Sequence, residues 1–376
     1  MKNYILCLWL TAACFTTLLA QDNPIKTDST ATQNLDEVLV KAVRVKSNAP
    51  ITYSNVSKKD IEKRNLGQDI PILLNYLPGV VTTSDAGAGI GYTGIRVRGS
   101  DATRVNVTIN GIPYNDSESQ GTFWVNLPDF ASSVETIQLQ RGVGTSTNGS
   151  AAFGASLNLE TDAVQNEAFA SLSSSIGSFN TLKNTLQFSS GELNNSFTFS
   201  GRLSQINSDG YIDRASSDLD AYFFQGTFQD ESTLIKALVF GGQEITYQAY
   251  WGIDAVTLMT NRTYNTAGEI YDENGNRTAF YENEVDNYNQ EHYQFHWNER
   301  LNSNLNFTLG LNYTHGRGFY EQYNDLWYDQ NIEFSGATSF DYLQLNPLIF
   351  NNITISNSEN ISQKWLDNDY YVVTLG

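Results

Sequence analysis

The sequence predicts two architectures in series: a small mixed domain of short strands and short helices, then an antiparallel transmembrane β-barrel that is incomplete within this chain. Three observations carry this. Between Gly94 and Gly142, short apolar/polar alternations are interrupted by frequent turn signals. From Ala168 onward the alternating stretches lengthen towards the ~9–11 residues of a membrane-crossing strand, apolar on one side and polar on the other, with many aromatics. The connections between those long stretches are also unequal in a regular way. Tight ones fall at every second position, and both long ones fall on the other side. A barrel in lipid has short turns at one end and long loops at the other, whereas a soluble sandwich has no reason to keep that parity.

Composition narrows the field. Of 376 residues, 41 are acidic and 22 basic, for a formal net charge of −19. Nucleic acid is therefore not an expected partner, since phosphate binding needs a basic face. Both cysteines, Cys7 and Cys14, sit near the N-terminus; removal of that segment leaves no thiol, disulfide or Cys metal site. No apolar run beyond the N-terminus approaches the ~20 residues of a membrane helix, so any insertion is by strands.

Residues 1–20 have the parts of a secretory signal: Lys2, an apolar stretch from Tyr4 to Leu19, and Leu18-Leu19-Ala20 before Gln21. The rival is lipidation at Cys14, but the residue three before it is not leucine-like and apolar sequence continues past it. Residues 21–34 are polar and turn-rich, and read as disordered in isolation. In 35–42, Asp36 and Glu37 precede Val38, Leu39, Val40, Lys41 and Ala42. This short extended segment can add as a strand to another sheet edge, or open the following domain as its first strand.

Ser57-Lys-Lys-Asp60 starts a short helix that Gly67 stops, and Asp69 opens a second one with Pro71 in its first turn and Pro78-Gly79 at its end. Strands are expected over Ile95–Arg98, Arg104–Ile109 and Val134–Leu139, with Asn110-Gly111 as a strong hairpin signal. Gly89-Ile-Gly91-Tyr-Thr-Gly94 fits G-x-G-x-x-G by letters alone. A dinucleotide site needs a strand before it and a helix after it, and here a strand follows.

These pieces resemble, in order, the plug domain of TonB-dependent outer-membrane receptors. LLNYLPGV (Leu73–Val80), IRVRGSDATRVNVTINGIP (Ile95–Pro113) and VETIQLQRGVGTSTNGSAAFGASLNLET (Val134–Thr161) carry the resemblance. Ala155-Ser156 stands where many members have paired glycines. The resemblance implies a plug over 43–161 and barrel strands over 162–376, with Asp36–Ala42 as the TonB box that pairs with TonB, the periplasmic energy-transducing protein. It also implies active uptake, across the outer membrane, of a small-molecule ligand such as a ferric chelate or siderophore, with outer-membrane lipid around the barrel and no cofactor. Oligosaccharide, peptide and cobalamin remain open as cargo, and a passive or adhesive barrel with a vestigial plug is the alternative.

In such receptors two plug loops floor the ligand pocket. Here they would be Ser84–Thr93 and Pro113–Trp124, with Tyr92, Tyr114, Asp116, Glu118, Phe123 and Trp124 as candidate contacts. Tyr92 and Tyr114 have no apolar sequence neighbours to pack on, whereas Trp124 adjoins Val125 and Leu127 and also fits a core position. Arg96, Arg98 and Arg141 are expected to pair with carboxylates of the barrel wall, as plug arginines do in that family.

The barrel part reads as seven strands and the start of an eighth at Tyr370–Leu375. A barrel that holds a plug has ~22 strands, and open edges in lipid are costly, so further strands are expected. His292 and His296 share a strand face ~13 Å apart, too far for one ion, and read as lumen-facing polar residues. No Ser-His-Asp set, paired carboxylate motif or metal cluster suggests an enzyme.

Overall fold

The computed structural model describes residues 44–45, 50–144, 153–161, 165–327, 340 and 344–376. The signal segment, the leader and Asp36–Ala42 lie outside the described residues.

The first domain runs β1 (Tyr53–Ser57), α1 (Lys58–Glu62), α2 (Ile70–Leu73), β2 (Val80–Ser84), β3 (Thr93–Val97), β4 (Val105–Ile109), β5 (Ile112–Pro113), β6 (Val134–Arg141) and β7 (Ala155–Thr161). Ser57 caps α1 in extended backbone, and its Oγ donates to Asp60 Oδ2 at 2.7 Å. Gly67 then takes φ +124°, a conformation that ends the segment without a Cβ clash. Asn110 and Gly111 both have positive φ (52° and 80°), as the two-residue hairpin turn between β4 and β5 requires. β5 stays short because Asn115 Oδ1 accepts from Val107 N at 2.6 Å, capping that edge of β4 with a side chain.

The five-stranded sheet has the order β1-β6-β7-β4-β5, with β4 and β7 parallel, while β2 and β3 form a separate hairpin. β7 lies between β6, with which it runs antiparallel, and β4, some fifty residues earlier, with which it runs parallel. One boundary differs in a way that matters. The strand expected to reach Arg98 ends at Val97, and Arg98 turns with φ 52° ahead of Gly99 at 82°. Arg96 and Arg98 therefore do not share a strand face.

The second region is an eight-stranded antiparallel sheet. Its strands are β8 (Ala168–Ile176), β9 (Leu182–Ser190), β10 (Phe197–Ser208), β11 (Ser217–Gln229), β12 (Thr233–Tyr247), β15 (Val285–Asn302), β16 (Leu305–Asn324) and β19 (Asn360–Leu375). The connection from β12 to β15 carries α3 (Ala255–Thr260) and the hairpin β13 (Glu269–Tyr271)–β14 (Arg277–Phe280). That from β16 to β19 carries β17 (Leu348–Phe350)–β18 (Ile353–Ile355). Sequential strands are neighbours throughout the order β8-β9-β10-β11-β12-β15-β16-β19.

Alternation follows the sequence. Phe197, Phe199 and Leu203 point outward and stay exposed, while Thr198, Arg202 and Ser204 point inward and are buried. Gly201 occupies an outward position between the rings of Phe188 and Phe224; a Cβ there would lie 2.5 and 2.8 Å from them. Tyr293, Tyr313 and Tyr371 stack in a row across β15, β16 and β19. This apolar, aromatic outer face is the one a lipid-facing strand needs. Among the described residues no helix is long and apolar enough to cross a membrane.

Two corrections concern this sheet. β19 begins at Asn360, ten residues before the expected start, because its first half carries no apolar alternation to read. The inward face is also not uniformly polar. Phe223 and Phe240 point inward and are 1% exposed, since they pack on Phe130 of the first domain at ring distances of 6.2 and 5.1 Å. One hydrophobic core thus runs from Leu74, Ile109, Ile137 and Leu157 across the seam to Phe223, Leu238 and Phe240.

Candidate functional site

Two polar features lie along the seam between domain and sheet. The first is a buried carboxylate. Asp129 sits in left-handed backbone (φ 50°) just before the short turn Phe130–Ser133, and its side chain is fully buried. Its Oδ1 accepts from Lys183 Nζ at 2.6 Å and Ser132 Oγ at 2.5 Å; its Oδ2 accepts from Thr185 Oγ1 at 2.7 Å and Ser204 Oγ at 2.6 Å. Arg202 Nη1 lies 3.7 Å away. Burial alone would push this carboxyl up, but the Arg202 and Lys183 charges and the hydrogen bonds outweigh it and hold the group down at about 2.

Arg141 is held within its own domain. Arg141 Nε donates to Pro78 O and its Nη2 to Ser54 Oγ, both at 2.8 Å and both within the first domain. Arg96 and Arg98 are exposed and make no ion pair with the sheet among the described residues. The seam's ion pairs have the opposite polarity, with the acid on the domain and the bases on β9 and β10. Asp129 was not singled out from the sequence. Its only local signal is an acid in an otherwise apolar Leu-Pro-Asp-Phe run, and apart from Ser132 its partners come from strands more than fifty residues away.

The second feature is a cavity of about 1520 Å³ between the domain's loops and the sheet. Tyr92, Tyr114, Asp116, Glu118 and Phe123 all line it. Trp124 does not: it is 2% exposed and belongs to the hydrophobic core with Leu127 and Phe130. Its apolar neighbours in the chain decide its fate. Asp116 closes the loop tip, its Oδ1 accepting from Glu118 N and Ser119 N at 3.1 and 2.6 Å. Asn115 Nδ2 donates to Val105 O and Gln120 O, which fixes that tip to β4.

Both tyrosines have partners that the local sequence hides. Tyr92 packs on Ile90, Val125, Ile206 and Leu219 and donates its hydroxyl to Asp286 and, at 3.3 Å, to Glu244 Oε1. Burial, then the two carboxylates, pushes its phenol well above the ordinary range. Tyr114 lies 5.2 Å from the His292 ring and donates to Gln290 Oε1 at 3.2 Å. His292 in turn stacks on Phe240 at 4.7 Å, so Tyr114 continues the aromatic seam begun by Phe130. His292 and His296 are inward and buried, and among the described residues no group of acids, histidines or cysteines is arranged to hold a metal ion.

The sheet contributes lining groups the sequence did not nominate, among them Glu244, Glu284, Asp286, Tyr250 and Trp251. Inward alternation marks Glu244 and Asp286 as lumen-facing, but only the register shows which inward residues meet the cavity. The cavity lies at the end of the sheet that carries the long connections 248–284 and 325–359.

A family model described as "TonB-dependent Receptor Plug Domain" matches residues 45–156. Residues 45–156 are thus similar to the plug domain of TonB-dependent receptors. Among curated relatives, the vitamin B12 transporter BtuB of Vibrio cholerae serotype O1 is 29% identical over 149 residues, which cover 39% of this chain and 24% of that protein. Among solved structures, the closed form of the ferric-catecholate import receptor Fiu from E. coli K12 aligns with TM-score 0.60 and 14% identity, covering 92% of this chain and 45% of that one. The unliganded ferric citrate transporter FecA aligns with TM-score 0.56 and 17% identity, covering 72% and 40%. The chain thus spans about a quarter of the curated relatives' length and under half of these structures'. The fold is a plug followed by part of a receptor barrel. Asp129, with β9 and β10, is where this plug is tied to its wall.

Proposed function

We propose that this chain forms the plug and adjoining wall of a receptor that actively takes up a scarce ligand across the outer membrane. The observation that carries the reading is the cavity. It opens between two plug loops and the wall, at the long-loop end, which is the extracellular end of such barrels. Domain limits of 43–161 for the plug and 162–376 for the barrel strands fit this arrangement. The outer membrane sustains no usable gradient, so TonB pairing with Asp36–Ala42 would supply the work, pulling the plug to release ligand held above it. A ferric chelate is the first candidate cargo, because the similar structures include ferric-chelate receptors. Cobalamin is the second, because the matching curated relatives are vitamin B12 transporters.

The test is uptake of labelled ferric chelates and cobalamin by cells carrying the full-length receptor, with and without TonB. Accumulation of one ligand that requires both the receptor and TonB supports the proposal. Accumulation independent of TonB favours a passive barrel with a vestigial plug.

A further inference from the structure

The cavity's lining is unequal in charge. Asp and Glu residues lie around it, from Asp85 and Asp116 on the plug to Glu244 and Asp286 on the wall, and none of its described lining residues is arginine. Lys364 is the only lysine among them, with its Nζ 5.4 Å over the Tyr320 ring. The bases that could offset the acids are engaged elsewhere. Lys183 and Arg202 hold Asp129, and Arg214 donates to Asn265 O and Ala267 O while stacking 3.5 Å over Phe280.

Among the described residues, several of these acids are held by neutral donors alone. Glu244, 2% exposed, accepts from Thr246 Oγ1 and Tyr92. Asp286 accepts from Tyr92. Glu284, 4% exposed, accepts from Tyr323 N at 2.9 Å. A buried carboxylate without a cation is costly, and a positive group entering the cavity relieves that cost.

The aromatic lining points the same way independently. Tyr250 and Trp251 stack at 4.8 Å and 28° on the loop after β12, yet remain 53% and 59% exposed, so their faces are presented to the cavity rather than used in the core. Exposed ring faces attract cations through their quadrupoles, Trp most of all.

We infer that this cavity selects a ligand of net positive charge, an organic cation or a cationic metal chelate, over neutral or anionic analogues of the same shape. The inference rests on the receptor reading above and narrows its ligand class, setting strongly anionic ferric chelates apart.

The test holds shape fixed and varies charge. One ferric trihydroxamate chelate is prepared with a free terminal amine (singly positive), with that amine acetylated (neutral), and with it succinylated (singly negative). Binding to the purified full-length receptor is measured for each. The expected order is cationic, neutral, anionic, with about tenfold between successive forms. In Glu244→Gln and Asp286→Asn variants of unchanged outer-membrane abundance, the spread should shrink to about threefold per step. The exposed-loop variant Glu118→Gln, which disturbs no buried group, should shrink it in the same direction. Equal affinities, a reversed order or no binding of the cationic form overturns the inference. Uptake of the cationic form by cells with and without TonB tests transport separately. Binding in the expected order without TonB-dependent uptake would sink the transport reading and leave the charge selection standing.

Discussion

Asp129→Ala should loosen the plug from its wall more than any other single change at the seam. The carboxylate is fully buried and accepts from Lys183, Ser132, Thr185 and Ser204, with Arg202 close by. Removing it takes the counter-charge from Lys183 and a near neighbour from Arg202, and breaking a buried pair in that way typically costs about 3–5 kcal/mol. A second figure follows from the depressed carboxyl. A carboxyl held at about 2 rather than 3.8 contributes about 2–3 kcal/mol to the assembled state when ionised. The sign follows from the depressed value: the contribution is complete above the ordinary carboxylate range and is lost only as pH falls through about 2. The tie is therefore at full strength at neutral and mildly acidic pH. The assay is urea-induced release of the plug in the full-length receptor, followed by protease access, together with entry of a large antibiotic into cells. Asp129→Ala combined with Lys183→Met should recover much of the loss, because the ammonium that lost its carboxylate is removed with it. An Asp129→Ala effect below about 1 kcal/mol, the level of an exposed pair, would refute the reasoning.

Four further outcomes are expected. Val38→Pro or Val40→Pro in the full-length receptor should abolish uptake while leaving ligand binding intact, since proline removes a backbone donor from the proposed TonB-pairing strand; alanine there should do much less. Tyr92→Ala and Tyr114→Ala should each weaken ligand binding by roughly 1–3 kcal/mol in unenergised cells, and Tyr92→Phe should separate the hydroxyl's bonds to Glu244 and Asp286 from the ring's packing. Arg141→Glu should destabilise the plug itself through loss of the Pro78 and Ser54 contacts, read as a lower plug unfolding midpoint, with the Asp129 tie to the wall unaltered. Gly201→Leu should lower barrel stability by about 1–3 kcal/mol through crowding of Phe188 and Phe224, measured by the heat needed to shift the receptor's gel migration.

What could be read from the sequence was what is written locally. Asn110-Gly111 states its turn in two residues, and Phe197, Phe199 and Leu203 state a strand's two faces in seven. β7 alternates as well, Ala155, Leu157 and Leu159 against Ser156 and Asn158, but only the pairing shows that it lies between β6 and β4. The first half of β19 states neither a turn nor two faces; it continues along β16 because ladder hydrogen bonds need a partner strand and not lipid. The same distinction governs the site. Tyr92 and Tyr114 could be nominated as loop aromatics without local packing, and both line the cavity. The inference that nothing apolar supports them was wrong, because Ile206, Leu219 and Phe240 reach them, directly or through His292, from strands a hundred residues on.

Among the described residues the wall offers no carboxylate to Arg96, Arg98 or Arg141, and the tie it does make has the opposite polarity. A charge seen in sequence has a sign but no partner, and Arg141 is satisfied inside its own domain. The seam instead puts one acid, in a strained left-handed turn, against two bases that would otherwise point into a polar lumen. Further along the sheet, Glu244, Glu284 and Asp286 have no cation beside them among the described residues. The division of charge along the seam therefore separates two tasks. Where base meets acid at Asp129 the plug is tied down, and where acid stands unmatched beside Tyr92 the cavity waits for its counter-charge from outside.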